Sequence, residues 1–142
     1  MFSTNVNELN RQVWLKKTLA TLSAGSRILD AGAGELKNRQ HCGHPEYVSQ
    51  DFGQYEGQQG GALAEGLQRK FWDTSRIDLV SDITAIPGPD ASFDTILCSE
   101  VLKREPESTN ALDEFTRLLK PGGVVILTAP FASNVRMATG YF

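Results

Sequence analysis

The sequence predicts one α/β domain with a parallel β-sheet and helices on both of its faces. Three observations support this fold class. Short apolar segments alternate with segments of helical pattern at intervals that fit βαβ units. Several of the apolar segments end on an acidic residue, and the first runs directly into the glycine-rich turn of residues 26–35, SRILDAGAGE. The length of 142 residues fits a single domain, residues 1–142.

The N-terminal part, residues 1–25, is predicted to be a helix that covers one face of the sheet. Apolar residues recur at mixed helical spacing over residues 5–23, among polar ones. Gly25 suits the position that follows the end of a helix. The core of the domain then extends over residues 26–130.

Five strands are predicted in this core, at residues 26–30, 46–50, 77–81, 93–98 and 124–129. The segment between the first two strands is short, so we expect only one or two helical turns in that crossover. Glycines interrupt residues 52–76, where only 62–71 has the pattern of a short helix. A helix over residues 106–120 precedes the fifth strand. Residues 131–142 are predicted to be an irregular tail.

Composition excludes several classes of protein. The formal net charge is −3, from 14 basic and 17 acidic residues, and no basic cluster predicts binding to nucleic acid. No apolar run is long enough to span a bilayer, and the N-terminus lacks the pattern of a signal peptide. Two cysteines, Cys42 and Cys98, do not make a disulfide framework, so a cytoplasmic location is expected.

Acidic residues mark the ends of the predicted strands. In open α/β sheets the ligand lies outside the carboxyl ends of the strands, so these residues are candidates for binding. Asp51 lies 21 positions after Asp30, close to the spacing of about 20 that is expected for a carboxylate on a ribose diol. The spacing alone leaves open whether Asp51 binds ribose or is a solvated loop residue.

The charge at these strand ends favours a cationic nucleoside ligand. A dinucleotide needs a third glycine where Lys37 stands, and its pyrophosphate would lie near the negative charge of Asp30. S-adenosylmethionine carries a sulfonium and an ammonium group, which an acidic rim complements. Asp82 is placed to accept a hydrogen bond from the adenine amine, with Ile83 packed on the ring. Ser99 and Glu100, after the fourth strand, are placed near the methionine moiety.

Five segments of the chain together resemble the ordered motifs of class I S-adenosylmethionine-dependent methyltransferases. They are ILDAGAG at 28–34, Asp51, SDI at 81–83, SFDTILCSEVL at 92–102 and LLKPGGVVIL at 118–127. The resemblance implies a Rossmann-like, doubly wound sheet with the parallel strand order 3-2-1-4-5. It also implies that the glycine turn approaches the methionine part of the cofactor, that Asp30 helps to hold that end, and that Phe52 lies next to the adenine. The cofactor-binding residues so predicted are Asp30, Gly32, Ala33, Gly34, Asp51, Phe52, Asp82, Ile83, Ser99 and Glu100.

The chain departs from the family pattern after the fourth and fifth strands. Lys103 and Arg104 stand where many relatives carry an acidic residue and a histidine, and no catalytic residue is predicted. Only twelve residues follow Pro130, too few for a helix and two further strands, so the usual C-terminal antiparallel hairpin is expected to be missing. Residues 124–129 would then form an exposed apolar edge. We therefore expect a homo-oligomer that forms through this edge or through the tail.

Methyl transfer from S-adenosylmethionine to an unidentified small-molecule acceptor is the function that these patterns favour. The alternative is a truncated or degenerate module that binds the cofactor or a partner chain without catalysis. NAD-dependent redox chemistry is disfavoured by the charge and glycine pattern. The cluster His41-Cys42-Gly43-His44 is interpreted as a loop without a metal, because it offers at most three ligands and no distant partner is evident.

Overall fold

The computed structural model describes residues 2–43, 45–53, 74–99, 101–102, 106–128 and 135–138. The order of elements is α1 (Phe2–Leu19), β1 (Arg27–Ala31), β2 (Glu46–Asp51), β3 (Leu79–Val80), β4 (Phe93–Ser99), α2 (Ser108–Leu118), β5 (Leu119–Thr128) and β6 (Val135–Ala138). Two 3₁₀ turns, Arg39–His41 and Thr74–Arg76, lie in the connections.

The strands form one sheet in the order β3-β2-β1-β4-β5-β6. The first five strands of this order are parallel to one another, which confirms the predicted order 3-2-1-4-5. In β1, Leu29 lies opposite Val48 of β2 on one side and Ile96 of β4 on the other. The direction of winding therefore reverses between β1 and β4, and in doubly wound sheets this is where a ligand crevice opens.

Two hydrophobic clusters cover the two faces of the sheet because neighbouring strand residues point to opposite sides. On one face, Leu29 and Ile96 pack with Phe115 and Leu118 of α2. On the other face, the cluster comprises Leu15 and Leu19 of α1 together with Ile28, Leu97, Ile126 and Cys42. Leu15 and Leu19 are four residues apart, so they lie on the same side of the helix. This confirms that the N-terminal helix covers one face.

β6 corrects the expectation that β5 forms the exposed edge of the sheet. It pairs antiparallel with β5, with Thr128 opposite Val135 and Val125 opposite Ala138. It also corrects the predicted irregular tail, since residues 135–138 form a strand. An antiparallel partner needs only a short connection, so a single strand fits in a segment that is too short for a helix and two strands. The pairing gives the outer backbone groups of β5 hydrogen-bond partners.

Several element boundaries differ from those predicted. β5 begins at Leu119 rather than at residue 124, and an irregularity in its pairing with β4 lies between Phe93 and Thr95. Such an irregularity accommodates Pro121 within the strand. β3 has two residues rather than five. The predicted helix at 62–71 lies outside the described residues.

Candidate functional site

The turn after β1 requires glycine at its first position. Gly32 has φ +76°, and a Cβ atom there would lie 2.5 Å from Val101 Cγ2. Its N–H donates to the main-chain oxygen of Gln50 at 2.8 Å and to Gln50 Oε1 at 3.0 Å. A side chain would therefore meet both backbone strain and a steric clash.

Gln50 holds this turn against the end of β3. Its side chain is almost fully buried, and while Oε1 accepts from Gly32, Nε2 donates to the main-chain oxygen of Ser81 at 2.7 Å. The amide thus joins the loop after β1 to the residue after β3. We did not predict Gln50 as a site residue. The available signal was a polar side chain near the end of a buried strand, directly before Asp51.

Asp51 organises the neighbouring backbone. Its carboxylate accepts hydrogen bonds from the N–H of Gly34 at 3.1 Å and of Gly53 at 2.9 Å. The side chain is buried at the end of β2. Asp51 is therefore part of the turn itself, rather than a solvated loop residue.

Asp30 lies beneath the turn and is not among the residues that line the cavity described below. It is 1% exposed, and its carboxylate accepts a hydrogen bond from the Tyr47 hydroxyl at 2.5 Å. Burial raises the pKa of Asp30 to about 7, with a further increase from the charge of Asp51, while the Tyr47 hydrogen bond opposes the shift. Its predicted direct role at the rim thus has no geometric support.

A cavity of about 740 Å³ opens at the carboxyl ends of the strands. It brings together eight of the ten predicted cofactor-binding residues: Gly32, Ala33, Gly34, Asp51, Phe52, Asp82, Ile83 and Ser99. Asp30 lies outside the lining, and Glu100 lies outside the described residues. The volume is in the range of small-molecule sites.

One end of the cavity follows β3. Asp82 Oδ1 accepts from the N–H and hydroxyl of Thr84 at 2.9 Å and 2.7 Å, and these bonds lower the pKa of Asp82. The neighbouring Ile83 is buried in the cluster on the α2 face, whereas Phe52 is 50% exposed. This end therefore presents an ionised carboxylate beside apolar surfaces.

The other end follows β4 and includes residues of α1. Ser99 Oγ lies 3.0 Å from Thr128 Oγ1, which connects the ends of β4 and β5. Glu8, Arg11 and Gln12 of α1 line the cavity, and Glu8 pairs with Arg11. The sequence predicted only a covering role for α1. These contacts depend on how the helix docks, which periodicity does not reveal.

The lining carries charges of both signs. Its acidic residues are Glu8, Glu35, Asp51 and Asp82, and its basic residues are Arg11 and Lys37. The predicted acidic rim is therefore present but mixed. Such a site complements a ligand that carries both a cation and an anion.

No metal centre is found in the part of the chain that the structure describes, where no three His, Cys, Asp or Glu side chains come together. His44 lies outside that part. Cys42 and Cys98 are free and buried. Among the described helices, none has the length and apolar character needed to cross a membrane.

Comparison with known proteins adds an independent line of evidence. The family described as "Methyltransferase domain" matches residues 29–127. Demethylmenaquinone methyltransferase of Clavibacter sepedonicus is 34% identical over 123 residues, which are 83% of this chain and 47% of the relative. Glycine/sarcosine/dimethylglycine N-methyltransferase of Actinopolyspora halophila is 27% identical over 80% of this chain and 20% of its own. The chain thus spans at most about half the length of these relatives.

Solved structures agree with the fold. The YcgJ protein of Bacillus subtilis superposes with a TM-score of 0.63 at 25% identity, over 84% of this chain and 50% of that one. A Haemonchus contortus phosphoethanolamine N-methyltransferase in complex with S-adenosylhomocysteine superposes with a TM-score of 0.60 at 21% identity, over 84% of this chain and 28% of its own. The family match covers the strands that build the cavity, from β1 into β5. The chain therefore belongs to the class I S-adenosylmethionine-dependent methyltransferase family.

Proposed function

We propose that this chain binds S-adenosylmethionine in the cavity at the strand ends and transfers its methyl group to a small-molecule acceptor. The observation that carries the proposal is the glycine turn at the wall of the cavity, where Gln50 and Asp51 accept hydrogen bonds from the N–H groups of Gly32 and Gly34. Family membership supports the cofactor. The activity of a whole protein remains a proposal because the chain spans only part of its relatives.

The positions of the residues that line the cavity suggest which part of S-adenosylmethionine each of them would contact. Asp82 and Ile83 are proposed for the adenine, together with Phe52. Asp51 is proposed for the ribose hydroxyls, since it lines the cavity and its bonds to Gly34 and Gly53 fix the orientation of its carboxylate. The turn and Ser99 would border the methionine. Asp30 acts from below, by supporting the strand end that leads into the turn.

When bound, the cofactor supplies an activated methyl group on a sulfonium sulfur. The residues of this chain then mainly have to align the acceptor with that group and to exclude water. We assign no general base. The relatives differ in the acceptors that their names print, which include a demethylmenaquinone and glycine. For this chain we therefore propose a small molecule without naming its class.

The alternative, a module that binds without catalysis, is not favoured. It rested on the missing C-terminal hairpin, whereas an antiparallel strand, β6, pairs with β5. Self-association through the segment after β5 stays a proposal, with β6 as the last described strand of the sheet. The cytoplasmic location likewise remains a prediction from cysteine usage.

The first test is calorimetric titration of the purified protein with S-adenosylmethionine and S-adenosylhomocysteine. We expect saturable binding of both, and at least a tenfold weakening in Asp51→Asn, which retains the shape of the side chain. Asp113→Asn is the matched control, because Asp113 lies on the exposed side of α2 and does not line the cavity. Failure of the folded wild-type protein to bind either ligand would refute the proposal.

Catalysis is tested next, with S-adenosylmethionine labelled in its methyl group and a panel of small amines, phenols and quinols. Transfer of label to one acceptor, with loss of transfer in a variant that no longer binds the cofactor, is the expected result. Tight cofactor binding without transfer to any acceptor would favour the module instead.

A further inference from the structure

Asn38 has a buried oxygen atom without a hydrogen-bond partner at the wall of the cavity. The residue is 9% exposed and lines the cavity, and among the described residues no donor reaches its Oδ1. Buried polar side-chain atoms nearly always have partners, so an orphan beside a ligand cavity calls for an explanation. We did not single out Asn38 from the sequence.

The local fold holds Asn38 in place without using its side-chain oxygen. Asn38 precedes the 3₁₀ turn Arg39–His41, at the capping position that asparagine commonly fills, yet its side chain makes no capping hydrogen bond. Its main-chain oxygen instead accepts from the N–H of His41 at 3.0 Å, and from Cys42 Sγ at 3.5 Å. The backbone is thus fixed, while the amide is left available for another contact.

The position of Asn38 in the cavity indicates which part of the ligand its side chain would contact. Its neighbour Cys42 packs in the cluster beneath α1, on the face of the sheet opposite to the cluster that contains Ile83. Asn38 therefore lies away from the proposed adenine end, on the side where α1 residues line the cavity. Of the donors on the proposed cofactor, Asp82 is assigned the adenine amine and Asp51 the ribose hydroxyls. The ammonium group is the donor that remains.

We propose that Asn38 Oδ1 accepts a hydrogen bond from the ammonium group of the methionine moiety, and that it makes the site selective for cofactors that carry this amine. The inference rests on the proposed function. Because Oδ1 is itself buried, it reaches the ligand only after a rotation about the side-chain bonds, and among the described residues no donor holds this oxygen in place. Glu35 in the same lining contributes a negative charge that favours a cation, whereas Glu8 is paired with Arg11.

The test compares two ligands in one protein. Calorimetry measures the affinity for S-adenosylhomocysteine and for its analogue that lacks only the amine, in wild type, Asn38→Leu and Asn38→Asp. In Asn38→Leu we expect affinity for S-adenosylhomocysteine to fall roughly tenfold or more, and affinity for the analogue to change less than about twofold. Asn38→Asp retains an oxygen acceptor and should restore most of the affinity. Asn110→Leu, at an exposed asparagine of α2 outside the cavity, is the control.

Thermal unfolding without ligand separates a binding role from a structural one. Because Asn38→Leu removes an unsatisfied buried atom, the midpoint of the free protein should stay the same or rise, even as binding weakens. Equal weakening for both ligands, or unchanged affinity for S-adenosylhomocysteine, would overturn the assignment. If the wild-type protein binds neither S-adenosylhomocysteine nor S-adenosylmethionine, the proposed function itself fails, and that result is visible before any variant is made.

Discussion

The Tyr47 hydroxyl donates a hydrogen bond to the buried carboxylate of Asp30 at 2.5 Å, directly below the glycine turn. The pair connects neighbouring strands, since Tyr47 lies on β2 and Asp30 on β1. Burial of Asp30 and this bond act on its pKa in opposite directions, so the pair influences both folding and its pH dependence.

The stability of the protein should fall as the pH rises from about 4 to about 7, through the contribution of Asp30. Its pKa is raised from 3.8 to about 7 in the folded state, so in this interval the folded protein binds more protons than the unfolded chain. The stabilisation from Asp30 is complete below its pKa in the unfolded chain. It is lost as the pH rises through its pKa in the folded protein. Urea unfolding measured across this range, in wild type and Asp30→Asn, isolates the contribution. An Asp30→Asn profile with the same slope as wild type would contradict it.

Replacing Tyr47 by phenylalanine should destabilise the fold by about 1–3 kcal/mol at pH 8, because the ionised Asp30 then lacks its donor. The loss should be smaller at pH 5, where Asp30 is mostly protonated. Urea unfolding at both pH values measures the difference. In the Asp30→Asn background the same substitution should have a different cost, and strictly additive effects would show that the two residues do not interact.

Gly32→Ala should weaken both the fold and cofactor binding. The positive φ costs about 1–3 kcal/mol for a residue with a side chain, and the added Cβ would also meet Val101. Combining it with Val101→Ala should relieve the clash but not the backbone strain, so recovery should be partial. Gly25→Ala is the control, since a Cβ there has nothing within 4 Å. Thermal melts measure the stability and calorimetry measures the cofactor affinity. Full recovery of both in the double variant would contradict the predicted backbone strain at position 32.

Gln50→Met should cost about 1–3 kcal/mol of stability and weaken cofactor binding, because the apolar side chain keeps the volume but loses the bonds to Gly32 and Ser81. Gln50→Glu keeps an acceptor for Gly32 but sets a buried carboxylate oxygen against the main-chain oxygen of Ser81. It should therefore cost at least as much stability as Gln50→Met. Gln40→Met, at an exposed glutamine, is expected to change neither quantity. Binding unchanged in Gln50→Met would show that the turn does not need this amide.

Removing residues 131–142 should promote self-association by exposing the outer edge of β5, whose residues 125–128 otherwise pair with β6. Light scattering over a range of concentrations compares the shortened chain with the full one. Met137→Pro, which removes a backbone donor opposite Ile126, tests the pairing at unchanged length. A shortened chain that stays as dispersed as the full one would show that β6 does not protect this edge.

The parallel core was predictable because β1, β4 and the second half of β5 are apolar runs, and the parallel strands are followed by or end at acidic or polar residues. Ile28, Leu29 and Asp30 illustrate this: two buried aliphatic residues precede the turn that opens the site. β6 was not predictable in the same way. Four residues are too few to show an alternation of apolar and polar side chains. They form a strand because they pair with the edge of β5.

The candidate site was predictable where a residue follows a parallel strand, since topology alone brings Asp51, Asp82 and Ser99 to one edge of the sheet. Depth along a strand is harder to predict. Asp30 ends the same kind of run, yet it lies under the turn with Tyr47. Gln50 was missed because its role arises from contacts between segments far apart in the chain.

The bridge from Gly32 through Gln50 to Ser81 joins the glycine turn to the residue after β3. A ligand that enters such a site does not have to order the loops itself, since folding has already restricted them. Binding should then cost the chain little conformational entropy, and affinity should depend on complementary contacts. The same bridge implies that a substitution near Ser81 can alter the glycine turn on the other side of Gln50.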